Sequence, residues 1–228
     1  MSLKGNLNRP LKGWQAGLVV LAVVVLAGLG YQAYRFVAAA VLDARVHAAM
    51  PKVCADAREQ RRILIAAIEA YKTNFGSYPP DHVVSRKPLK VDPVTNSLLY
   101  ELAGVVSDST NQLFKLANLE AADAKFVKEF FQCSGFKNCG ETEAEIKHFL
   151  PARQSFPCQL HDDPDVFAVG FQPSSEQFAR PEVSWEFNLS TWRYISSSPT
   201  NNPGGFDLWL EIKTKRQTVT IGNWKAVE

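Results

Sequence analysis

At 228 residues, 46% hydrophobic and 21% charged, the chain carries enough apolar content to build a packed core, which excludes an intrinsically disordered protein. Its 25 Lys and Arg are dispersed among 23 Asp and Glu for a formal net charge of +2, so the basic field that nucleic-acid binding uses is missing and no nucleic acid is expected as a partner.

The first element is an anchor. No charged residue stands between Lys12 and Arg35, and Ala16 to Leu29 is built only from Ala, Val, Leu and Gly. Such a stretch suits a helix across a ~30 Å hydrocarbon core, and it predicts a transmembrane helix over 14–36. Lys4, Arg9 and Lys12 precede it with no acidic residue, which keeps segment 1–13 in the cytoplasm and sends the rest across. Trp14 on one side and Tyr31 and Tyr34 on the other fit interfacial aromatics. A cleaved signal peptide is the alternative, with Ala38-Ala39-Ala40 as small residues for cleavage; the apolar stretch exceeds a usual signal-peptide core.

Segment 37–76 reads as an extracytoplasmic helical stem, broken or bent at Pro51, which lacks a backbone donor. Leu64, Ala67, Ile68, Tyr71 and Phe75 recur at intervals of three and four and form one apolar stripe. Gly76 fits a C-cap, and Pro79-Pro80 forbids continuation. Region 77–182 is expected as a variable insertion with short helices at Ser97 to Leu102, Asp123 to Phe131 and Thr142 to Phe149. The last of these has Thr142 and Glu145 in the spacing of a capping box, so Glu141, Glu143 and Glu145 read as helix N-terminal charges and not as a metal site.

From 183 to 228 the period changes to that of a strand. Val183, Trp185, Phe187 and Leu189 alternate with polar residues, then Trp192 and Tyr194, then Phe206, Leu208, Leu210 and Ile212, then Val219 and Ile221. Turns are expected at Ser196 to Gly205 and Lys213 to Gln217. The fold class is therefore α+β: an N-terminal transmembrane helix continuing into a long helix packed on a C-terminal antiparallel β-sheet, with an irregular, partly helical insertion between them. In this arrangement Trp185, Phe187, Phe206, Leu208 and Ile221 face Leu64, Ile68 and Tyr71.

Cys54, Cys133, Cys139 and Cys158 all follow the anchor, on the side where disulfides form. Cys133 and Cys139, separated by a five-residue spacer containing Gly135, are the expected pair, with Cys158 as an alternative partner. In a reducing compartment all four are small apolar residues. No CxxC spacing supports zinc. The run His161-Asp162-Asp163-Pro164-Asp165 could bind a cation or orient a base, but Asp-Pro with neighbouring Asp is ordinary turn chemistry. Asn188-Leu189-Ser190 matches a glycosylation sequon on a predicted strand. No GxSxG, phosphate loop, HExxH or EF-hand pattern occurs, so neither an enzyme nor a cofactor is expected.

Residues 67–81, AIEAYKTNFGSYPPD, resemble the end of the long helix of a type II secretion pseudopilin, a type IV pilin-like family. Residues 191–209, TWRYISSSPTNNPGGFDLW, and 221–225, IGNWK, resemble the last strands of its major member. The resemblance implies a pilin-like fold and partners among secretion or pilus-like subunits and the lipid bilayer. It also implies a single-pass inner-membrane location with a periplasmic C-terminal domain. Three departures stand out. Leu18 occupies the place of the prepilin Glu after Gly13-Trp14, the span from Gly13 to Tyr78 is longer than the family's helix, and Lys213 to Thr220 lacks the aspartates of the family's calcium loop. A noncatalytic subunit or accessory protein is the leading expectation. A bitopic ligand-binding module and a membrane-anchored hydrolase using His161 to Asp165 are the alternatives.

Overall fold

A computed structural model describes residues 13–82, 95–116, 121–150, 157–160, 163–174, 188–189 and 191–224. The chain divides into two compact units, Met1–Ala48 and Ala49–Glu228, and helix α1, Gly13–Phe75, contributes to both. The expected stem over 37–76 is therefore shared between the units.

Within the second unit, α1 buries Met50, Val53, Ala57, Gln60, Leu64, Ala67 and Tyr71, each three or four residues after the last. This single stripe is the one a helix packed on a sheet requires, and it begins earlier than Leu64. The helix is not broken at Pro51 but runs on through it. An interior proline costs about 3 kcal/mol; buried Ala49, Met50, Val53 and Cys54 on either side provide the offsetting burial. The helix ends where Gly76, at φ +76°, donates its N–H to Lys72 O at 2.7 Å, a left-handed C-terminal cap.

The insertion differs from the expectation in content. Helix α2 is Leu98–Ala103 and α3 is Ala124–Phe131, the latter capped by Asp123, whose carboxylate accepts from Phe126 N at 2.7 Å. Residues 141–150, in contrast, are turns and bends and form no helix. Glu145 N does bond Thr142 O, but the turn does not propagate, because the following amides have other partners. Lys147 N donates to Asn138 Oδ1, and Phe149 N and Leu150 N both donate to Leu102 O. Besides helices, the region contains strands β1 (Val105–Asp108), β2 (Leu113–Leu116), β3 (Ala122–Asp123) and β4 (Cys139–Gly140) in one sheet of order β3-β2-β1-β4. The β1–β4 pair is parallel and the others antiparallel. Strands β5 (Pro157–Leu160) and β6 (Asp163–Val169) form a separate antiparallel hairpin. Gly104, at φ +81°, turns the chain from α2 into β1 at a point where a Cβ would lie 3.0 Å from the Ile146 side chain.

The C-terminal strands form the expected antiparallel sheet. Strand β9 (Asp207–Lys213) pairs with β10 (Thr218–Gly222) on one edge. On its other edge it pairs with both β7 (Asn188–Leu189) and β8 (Arg193–Ile195). Leu208, Leu210 and Ile212 are buried on β9, while Trp209 and Glu211 are half-buried and Lys213 exposed, which is the alternation the sequence shows. Phe206, Leu208 and Ile221, like Leu64, Ile68 and Tyr71, are buried. Trp185 and Phe187 lie outside the described residues. Trp192, expected within a strand, precedes β8, and its N–H donates to Val169 O at 2.8 Å.

Candidate functional site

Every residue from Gly17 to Val41 is exposed, including Val23, Val24, Leu26 and Leu29. With Trp14 also exposed, this part of α1 is apolar around its whole circumference, whereas a helix of a water-soluble surface has one polar face. Among the described residues it is the one helix long and apolar enough to cross a membrane. The charge-free stretch from Gly13 to Tyr34 spans about 33 Å at the rise of an α-helix, close to the thickness of a hydrocarbon core. Arg35 lies over the Tyr31 ring, 5.8 Å from its centroid, and with Tyr34 gives the end of the apolar stretch an amphipathic collar.

The globular unit has a polar interior around two side chains. Gln60 projects from α1 into the core at 5% exposure. Its Nε2 donates to Gly170 O and its Oε1 accepts from Trp192 Nε1, both at 2.9 Å, so one amide joins α1 to the ends of β6 and of the segment entering β8. Glu101, on α2, is 0% exposed. Its Oε2 accepts from the Tyr71 hydroxyl at 2.8 Å and from Asn138 N at 3.1 Å, while Oε1 accepts from Lys137 N at 3.1 Å. Burial pushes this carboxyl above the usual glutamate range, against the opposing pull of the Tyr71 hydroxyl, the two amides and nearby His82. Asn138 completes the arrangement: its amide donates to Glu101 O and Lys147 O and accepts from Lys147 N. Lys137 Nζ reaches Phe75 O at 2.8 Å and Ser77 Oγ at 2.9 Å, tying the same loop to the end of α1.

A third polar cluster shapes the segment between β8 and β9. The Asp81 carboxylate accepts from Ser196 N, Ser197 N and Ser197 Oγ. The Asp207 carboxylate accepts from the backbone N–H groups of Thr200, Asn201 and Asn202 at 2.8–2.9 Å. Carboxylates whose oxygens face converging N–H groups organise a loop and do not present a cradle to a cation, which requires oxygen ligands around open space. The β9–β10 turn, where the resembled family has its calcium loop, is closed instead by Thr214, whose N–H donates to Gln217 O at 2.8 Å. It presents exposed Lys215 and Arg216.

Of the residues singled out from the sequence, Cys133 and Cys139 are not bonded to one another or to Cys158; both are free thiols. Cys139 is fixed in β4 opposite Val105, and Cys133 follows the end of α3, whose geometry is set by the Cys133 N to Lys128 O bond. Burial pushes both thiols up, which keeps them protonated and poorly nucleophilic. His161 and Asp162 lie outside the described residues, and Asp163 to Asp165 open strand β6 instead of forming a turn. Among the described residues no three His, Cys, Asp or Glu side chains come together as a metal-binding group. The sequence reading missed Gln60, Glu101 and Asn138. The available signals were a Gln continuing a stripe of spacing three and four, and a single carboxylate inside the apolar run Leu98-Leu99-Tyr100-Glu101-Leu102.

No family model matches the chain, and no curated protein and no solved structure matches it.

Proposed function

We propose that the chain is a noncatalytic, pseudopilin-like membrane-anchored subunit or accessory protein of a type II secretion or type IV pilus-like machine, acting through protein contacts. The observation that carries the reading is α1. One continuous helix begins as an exposed, charge-free apolar segment of membrane-spanning length and ends as a buried stripe in an α+β unit with a C-terminal antiparallel sheet. The segments that resemble the family support the reading: the first contains the Gly76 cap that ends the helix, and Thr191 to Trp209 and Ile221 to Trp224 include residues of β8, β9 and β10. In this reading the N-terminus with Lys4, Arg9 and Lys12 is cytoplasmic and the globular unit periplasmic, which gives a single-pass inner-membrane protein. In an oxidising compartment Cys133 and Cys139 are the pair available for a disulfide.

Two experiments test the reading. Capture of the native protein from solubilised membranes should recover secretion or pilus-like components, and deletion should impair secretion. Recovery of none, with secretion unchanged, refutes the functional reading. Orientation is tested separately with a membrane-impermeant maleimide, because Cys158 is exposed. Labelling of Cys158 in spheroplasts places the globular unit outside, and labelling only after lysis refutes that topology.

A further inference from the structure

The Glu101 carboxylate is held in an unusual way for a buried charge. Its three donors are all electrically neutral, a phenol and two backbone amides, and they come from two different segments: the end of α1 and the loop between α3 and β4. Among the described residues no cationic side chain hydrogen-bonds it: His82 acts on it only through its charge, and the Lys137 ammonium is engaged by Phe75 O and Ser77 Oγ. An ionised carboxylate in this position has lost its water and gained hydrogen bonds from neutral donors only. A protonated one keeps Oε1 for Lys137 N and a lone pair on Oε2 for Asn138 N, and its new O–H can point at the Tyr71 oxygen. Both forms are therefore compatible with a docked loop, but the neutral form is relieved of the desolvated charge.

We propose that Glu101 makes the 132–138 loop a pH-sensitive latch, in which proton uptake by the buried carboxyl tightens the docking of the loop onto α2 and the end of α1. Opening the loop would hydrate the carboxyl and return it to ordinary acidity, so closure and proton binding reinforce each other. The direction in which burial moves Glu101 agrees with this. The other titratable groups facing it are Tyr71 from α1, His82 from the segment after α1, Tyr194 from β8, Cys133 on the loop itself and Cys139 from β4. Of these, His82 is the one whose positive charge acts on Glu101, so it is the competing source of any pH dependence.

The experiment is hydrogen exchange of the full-length protein in detergent, read at the Lys137 and Asn138 amides that donate to the carboxylate, from pH 4.5 to 7.5 and corrected for intrinsic exchange chemistry. The opening equilibrium should rise with pH, approaching tenfold per pH unit between the ordinary glutamate value and that of the closed state, and then level off. Glu101→Gln should flatten the profile. Tyr71→Phe, which removes a charge-assisted hydrogen bond from the ionised form and a weaker neutral one from the protonated form, should carry the rise to higher pH. His82→Asn should leave the slope in place. A flat wild-type profile, a slope that survives Glu101→Gln or a slope abolished by His82→Asn overturns the proposal. Should Glu101→Gln fail to fold, a Tyr71→Phe profile superimposable on wild type overturns it as well.

Discussion

Replacing Gln60 with leucine probes how α1 is joined to the rest of the globular unit. The two side chains are similar in size, so no large cavity forms, and the aliphatic part of Gln60 is already buried at 5% exposure. What changes is the hydrogen bonding. Trp192 Nε1 and Gly170 O, each 2.9 Å from the Gln60 amide, lose their partner inside the core. A buried polar group left without a partner costs about 1–3 kcal/mol, so the two together cost about 2–6 kcal/mol. The gain from exchanging an amide for methyl groups, about 1–2 kcal/mol, offsets part of this. The net expectation is a loss centred on about 2–3 kcal/mol within bounds of about 0–5 kcal/mol, a large share of the stability of an ordinary domain. Urea unfolding of the full-length protein in detergent, followed by Trp fluorescence and by circular dichroism, measures it. Trp192→Phe in the Gln60→Leu background removes one of the two orphaned groups. The double variant should therefore be more stable than the sum of the single losses implies, by about 1 kcal/mol. A Gln60→Leu protein as stable as wild type, or strict additivity in the cycle, would refute the reasoning.

Leu208→Ala should destabilise by about 2–5 kcal/mol through lost transfer energy and the cavity left behind, because Leu208 is 0% exposed between β8 and β10; thermal unfolding yielding less than about 1 kcal/mol would contradict the assigned packing. Glu211 is held below the usual glutamate range, first by its hydrogen bond with Lys213 and also by Arg193. A lowered folded-state pKa contributes stability above the unfolded value of about 4.5 and loses it as the pH falls below that value, so Glu211→Gln should be less stable than wild type at pH 7 by about 1 kcal/mol or less, with the gap closing by pH 3. A gap that widens in acid would reverse the sign. Leu18 cannot pair with a terminal amine, and an unpaired ammonium among packed helices carries a penalty of several kcal/mol. Cleavage after Gly13, as in a prepilin, would leave such an ammonium on Trp14, so the membrane-extracted protein is expected to retain Lys4, Arg9 and Lys12, and a start at Trp14 in mass spectrometry would overturn this.

How much of this was legible in the sequence depended on how local each signal is. The long apolar N-terminal helix, the Gly76 cap, the short helix ending at Phe131 and the alternation along β9 all follow from residues adjacent in sequence, and all appear where they were expected. The expected helix at Thr142 to Phe149 failed because its amides are claimed by Asn138 and Leu102, partners that sequence proximity does not reveal. The insertion's sheet was invisible for a related reason: β3 and β4 are two residues each, too short to show a period, and β4 joins β1 by a parallel pairing across more than thirty residues. The apolar stripe of α1 was read only from Leu64 onward. Gln60 interrupts its apolar character, and Pro51 suggested a boundary that tertiary burial overrides. Glu101 was passed over because a lone carboxylate gives no sign of being buried until its donors, Tyr71, Lys137 and Asn138, are seen to converge.

Strand β9 is the neighbour of every other strand described in its sheet: β10 lies on one edge, β7 and β8 on the other. The order of synthesis gives this a consequence. Residues 49–75 of α1 leave the ribosome with their apolar stripe uncovered, and the strand that organises their cover begins only at Asp207. At about 5–20 residues per second, those intervening residues take on the order of 10 s to appear. During that interval Tyr71 and Gln60 can meet their partners Glu101, Gly170 and Trp192, but β7 and β8 have no strand to pair with. A chain truncated before Asp207 lacks the strand with which β7, β8 and β10 all pair, so the last tenth of the polypeptide is what completes the C-terminal sheet.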